Sequence, residues 1–88
     1  MTTDVQSLDR AFQILASIGR AGTCSLSELA AARAMPFSTV HRIVGSLIDN
    51  GYVIRHGRGN YALGPAFLDF AGRVSLADLL ARIGRPIL

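Results

Sequence analysis

Eighty-eight residues make one small domain, and a chain this short buries only a modest core, so association with a second chain is expected. No stretch approaches the about 18 consecutive apolar residues of a membrane span, and no basic-then-apolar leader opens the chain, so the expected location is the cytoplasm with no membrane partner. The net charge is +3, half of the residues are hydrophobic, and the single cysteine, Cys24, rules out an internal disulfide and suggests no metal cluster.

The first six residues are polar and are expected to fray. Ser7 is a candidate N-cap for a helix through Ile18, in which Leu8, Ala11, Phe12, Leu15 and Ile18 fall on one face. Gly19 and Gly22 then supply a stop. Ser25-Leu26-Ser27-Glu28 matches the capping box, in which serine and glutamate satisfy each other's backbone amides, and opens a two-turn helix from Leu26 to Arg33. Ala34-Met35-Pro36 breaks it, because the residue before proline is pushed out of helical geometry.

Pro36 suits the first turn of a third helix, where its missing N–H costs nothing, and that helix should run to about Asn50. Val40, Ile43, Val44 and Leu47 repeat at helical spacing, and Asn50-Gly51 is a stop. Tyr52 to His56 reads as a strand, 57–60 as a turn, and Tyr61-Ala62-Leu63 as the returning strand. After Gly64-Pro65 the pattern predicts a fourth helix from Ala66 to about Val74, then a helix-like segment from Leu76 to Leu88 interrupted at Pro86.

This order is the plan of a winged helix-turn-helix, mainly α with a small β-hairpin. The helix over about 36–50 would enter the major groove of double-stranded DNA and the hairpin over 52–63 would form the wing. Charge supports that division. Residues 1–35 hold three arginines against three carboxylates, whereas residues 36–64 hold Arg42, Arg55 and Arg58 against Asp49 alone. All nine basic residues are arginine, the better bidentate partner for phosphate and guanine.

If Val40, Ile43, Val44 and Leu47 are buried, the opposite face presents Ser38, Arg42, Gly45 and Asp49, flanked by His41 and Ser46, with Phe37 and Thr39 at the helix start. Arg42 is the candidate reader of guanine, with a phosphate clamp as its alternative. Ser38 and Thr39 fit phosphate better than bases, His41 fits either, and Gly45 is small enough for close approach. Asp49 is better placed at a helix end than against DNA. Arg55, His56 and Arg58 bracket a glycine turn narrow enough to follow the minor groove, although charged hairpins also serve simply to blunt a sheet edge. Tyr52 and Tyr61 read as cross-strand or hinge residues, and Cys24 as a small buried hydrophobe.

Several segments together resemble the isocitrate-lyase-regulator (IclR) family of bacterial transcription regulators: Gln6 to Ala11, Leu26 to Ala30, Pro36 to Arg42, Gly51-Tyr52-Val53 and Tyr61 to Pro65. The resemblance covers about residues 6 to 74 and departs at Phe37, where a small polar or basic residue is usual. It implies a dimeric or tetrameric repressor or activator on palindrome-like operators. It also implies a DNA-binding domain over 1–74 and, over 75–88, a linker or the start of a C-terminal domain absent from this chain, through which alone a small-molecule effector would act. The high mean hydropathy, +0.36, fits apolar surface facing a partner protomer, with Phe12, Phe67, Phe70 and Leu80 as candidate dimerisation residues.

No nucleophile with a matching base, phosphate loop or ligand cluster points to an enzyme, a cofactor or a metal. The rival reading is a winged helix that binds protein without touching DNA, against which the surplus of arginine in the middle of the chain weighs.

Overall fold

The computed structural model describes residues 5–73 and 75–84. Helix α1 runs Val5–Ala21 and buries Ile14 and Ile18. It begins two residues before the expected cap: Val5 and Gln6 are helical, and Ser7 lies within the first turn rather than at its edge. The stop is Gly22, at φ +85°, whose N–H reaches the Ile18 carbonyl at 2.8 Å. Gly19 stays inside the helix.

Helix α2, Leu26–Arg33, has the boundaries the sequence predicts. Both arms of its capping box form, Glu28 N–H to Ser25 Oγ at 3.1 Å and Ser25 N–H to Glu28 Oε1 at 2.8 Å. It ends on Ala34 in the left-handed region, φ 53°, with the cap N–H donating back to Ala30 and Ala31. A side chain in that conformation costs about 1 kcal/mol, and a buried Met35 follows it directly. Pro36 stands just outside α3 (Phe37–Asp49), as its N-cap rather than in its first turn. Its carbonyl accepts from Thr39 and Val40 N–H at 3.1 and 3.2 Å.

Val40, Ile43 and Val44 turn inward from α3 onto Ile14, Ile18 and Leu29, and Val53 at the root of the hairpin closes the core. Each such side chain contributes about 1.5–3 kcal/mol on leaving water. The hairpin pairs β1 (Val53–Arg55) with β2 (Tyr61–Leu63) antiparallel, in the register Val53 to Leu63 and Arg55 to Tyr61. The first strand is thus one residue shorter at each end than the expected Tyr52–His56.

A third, nonlocal pairing extends the hairpin. Cys24 N–H donates to the Tyr61 carbonyl at 3.0 Å, and Tyr61 N–H to the Cys24 carbonyl at 2.8 Å. Cys24 is buried, as a small hydrophobe should be; burial pushes its thiol above the ordinary range, and the Glu28 carboxylate adds in the same direction.

Helix α4 spans Ala66–Ala71 and α5 spans Leu76–Ile83. α4 stops at Gly72, short of the expected Val74, which lies outside the described residues. α5 ends on Gly84 at φ +78°, before Pro86; residues 85–88 of that expected segment are likewise outside them. Tyr52 joins the hairpin root to α4, its ring edge-on to Phe67 (centroids 5.1 Å, 70°) and stacked with Phe70 (6.1 Å, 11°).

Gly64 fixes the exit from the wing. Its N–H donates to the Tyr52 carbonyl at 2.7 Å, and a Cβ placed there would collide with the Gly51 carbonyl oxygen and lie 2.9 Å from its carbon. Because the neighbour is backbone, it cannot rotate away. Gly64→Ala is therefore expected to lose about 2–3 kcal/mol in urea unfolding; a variant unfolding at the wild-type midpoint would show that the exit relaxes freely.

Candidate nucleic-acid interface

Helices α2 and α3, joined through Ala34-Met35-Pro36, form the helix-turn-helix, and the face of α3 turned from the core is the candidate reading surface. Ser38, His41, Arg42 and Ser46 are exposed there, Phe37 is 52% exposed at the helix start, and Thr39 is half-buried. Asp49 is exposed at the last turn. Among the described residues, no carboxylate or acceptor partner engages His41, Arg42, Arg55, His56 or Arg58, so these donors are available to an external ligand.

The hairpin brings Arg55, His56 and Arg58 to the surface beside this helix. Gly57 (φ +66°) and Gly59 (φ +76°) flank Arg58, so the tip is narrow and its backbone takes a course that other residues rarely adopt. Arg33, by contrast, is used internally, its Nε donating to Ser17 Oγ at 2.7 Å and clamping α2 to α1.

Two residues gain a further setting that the sequence does not reveal. Gly45 lies on the side of α3 away from the core, half-buried, where a Cβ would meet nothing within 4 Å, and it borders the wing side of the helix. There it lines a hollow of about 60 Å³ with Leu26, His41, Val44, Ile48, Arg55 and Tyr61. Tyr61, read from the sequence as a cross-strand or hinge residue, is thus also part of the surface between helix and wing. Its partner across the sheet, Arg55, signals this only once the register is known. Arg42 and Ser46 border a separate cleft of about 370 Å³ that reaches Ser7 and Leu8 on α1.

Three of the four expected dimerisation residues share a second surface. Phe12 and Phe70 are 61% and 55% exposed and Phe67 is half-buried. These three meet in an apolar groove of about 350 Å³ with Leu8, Leu15, Leu47 and Tyr52. Leu80, half-buried on α5, is not part of it. No helix among the described residues is long and apolar enough to cross a membrane, and none of their His, Cys, Asp or Glu side chains cluster in a group of three that could hold a metal ion.

Residues 7–57 match the IclR helix-turn-helix domain, a span that holds α1 from Ser7 onward, the helix-turn-helix and the first strand of the wing. The chain belongs to the IclR family. It is 37% identical to the transcriptional repressor IclR of Escherichia coli over 99% of this chain and 32% of that protein. It is 38% identical to the transcriptional regulator KipR of Bacillus subtilis over 73% of this chain and 26% of that one. The fold superposes on the crystal structure of Thermotoga maritima IclR with a TM-score of 0.71 and 25% identity, over 90% of this chain and 34% of the other. This IclR-type chain therefore spans about a third or less of these relatives.

Gly45 has no reason within the protein to be glycine: its backbone is helical, and a Cβ there would meet nothing within 4 Å. Glycine inside a helix costs about 1 kcal/mol against alanine. Gly45→Ala should accordingly raise the free energy of unfolding by about that amount in urea titration; a fall instead would reveal packing that the open space conceals.

Proposed function

We propose that this chain is the DNA-reading domain of a transcription regulator, binding double-stranded DNA sequence-specifically with α3 in the major groove and the hairpin along the adjacent minor groove or backbone. The observation that carries the reading is the set of unpartnered cations, Arg42, Arg55 and Arg58, on the two elements that an IclR-type winged helix turns outward. Arg42, exposed near the middle of α3, is the base reader, because its fork matches the two major-groove acceptors of guanine. Ser38, Thr39 and Ser46 serve phosphates, whose contacts set register without carrying sequence. His41, His56 and Arg58 add backbone or minor-groove contacts, and Phe37 packs at the helix start against the DNA edge. The role is binding rather than catalysis, exercised in the cytoplasm.

The protein acts on palindrome-like operators as a two-fold dimer, with half-sites about one helical turn, or a multiple, apart. The exposed rings of Phe12 and Phe70 with Phe67 supply the self-association surface, an apolar patch of the kind that marks an interface. We further read residues 1–74 as the DNA-binding domain and 75–88 as the lead into a C-terminal domain that takes a small-molecule effector. The greater length of the relatives, of which this chain spans about a third or less, is what suggests a longer protein.

Two measurements test these readings. Fluorescence anisotropy is run on a duplex selected from a random-sequence pool and on its scrambled counterpart. Arg42→Ala should lose about 1–3 kcal/mol of discrimination between them; equal weakening on both would reduce Arg42 to a phosphate clamp. In sedimentation equilibrium, Phe12→Ser with Phe70→Ser should raise the dimer dissociation constant by about tenfold or more. An unchanged constant would move the interface away from this groove.

A further inference from the structure

The hollow between α3 and the wing is the one surface built jointly by the two proposed DNA-contacting elements. His41 and Gly45 come from the helix, Arg55 and Tyr61 from facing positions on the two strands. Its floor is apolar, Val44 and Ile48, and its volume of about 60 Å³ is room for a few water-sized atoms, the size of one phosphate group. The side chains at its rim carry donors: the guanidinium of Arg55, the imidazole of His41 and the hydroxyl of Tyr61. None of them is engaged by another described residue.

Geometry names what must pass there. A duplex with α3 in its major groove and the hairpin in the neighbouring minor groove has one sugar-phosphate ridge dividing those grooves, and that ridge lies between the helix and the hairpin. We propose that this hollow seats a single backbone phosphate of that ridge, clamped by Arg55 and His41 from opposite walls, with the Tyr61 hydroxyl donating to a phosphate oxygen. The inference rests on the DNA-reading function above and specifies one site within it. It also accounts for Gly45. The residue pays the helix cost of glycine in a place where a Cβ would meet no protein atom within 4 Å, and on this proposal the room left at the edge of the hollow is what the phosphate takes.

The contact is independent of sequence, so a duplex of mixed sequence of about 20 base pairs suffices as the probe, titrated with the full chain across a salt series. Wild type should bind with a steep salt dependence. Gly45→Ala should bind about tenfold more weakly at low salt, with a slope of log K against log salt shallower by about 0.9, the share of one phosphate, while melting no lower than wild type. Arg55→Gln should reproduce that slope change. The Gly45→Ala, Arg55→Gln pair should be little worse than either alone, because both remove the same contact. Tyr61→Phe should weaken binding a few-fold and leave the slope unchanged, since a hydroxyl releases no counterion.

Gly45→Ala or Arg55→Gln binding with wild-type affinity and slope would overturn the phosphate seat while leaving the DNA-reading function standing. So would fully additive losses in the double variant. Absence of salt-dependent binding by wild type itself would overturn both.

Discussion

Two backbone hydrogen bonds between Cys24 and Tyr61 set the relation on which the proposed interface depends. A hairpin of two three-residue strands is marginal by itself, and nothing in its own pairing fixes its angle to α3. The bonds to Cys24 add one rung from the loop between α1 and α2, and the buried Val53 anchors the other strand in the helical core. The wing therefore stands at a defined angle, with Arg55 and Tyr61 facing His41 and Gly45 rather than swinging free. Burial of Cys24 protects this joint: a buried thiol in an apolar setting is a poor nucleophile, so the residue behaves as a packing element.

The local devices were legible in the sequence because each is confined to a few adjacent residues. The capping box of Ser25 and Glu28 fixed the start of α2, and the spacing of Val40, Ile43 and Val44 gave the buried face of α3. Where the structure differs from the local pattern, a competing local solution prevails. Ser7 has the chemistry of a cap, yet α1 continues past it to Val5, since nothing between them opposes a helix. Pro36 is compatible with the first turn of a helix but equally with the extended cap before it, and it takes the latter at ψ 143°. The left-handed Ala34 carries no sequence signal at all, because glycine or asparagine is what that conformation ordinarily selects.

The candidate site was legible to a different degree. Periodicity alone separates the inner from the outer side of α3, and it identified the exposed Ser38, His41, Arg42 and Ser46. It has no means of distinguishing the solvent side from the wing side, because the wing lies there through the Cys24–Tyr61 pairing between residues far apart in the chain. Periodicity and strand pattern for that reason place Gly45 on the outward side and Tyr61 in the hairpin, where both lie, without showing that they share a hollow. Their neighbourhood is a product of tertiary structure, and only the register of β1 on β2, which sets Arg55 opposite Tyr61, brings the hollow into view.

The two proposed surfaces also meet. Leu8, Ala11 and Leu47 line both the cleft that ends at Arg42 and Ser46 and the apolar groove that ends at Phe67 and Phe70. Leu47 projects from α3 itself, one helical turn beyond Ile43 and within reach of α1. A protomer seated on the groove would thus press on the same helix that presents Arg42, with no mobile linker between them. Interfaces and packed cores respond to such pressure by shifting between discrete arrangements rather than deforming smoothly. Contact between protomers would accordingly fix not only the spacing of two reading helices but the angle at which each Arg42 meets its base, so that affinity for a half-site and affinity for a partner become linked quantities.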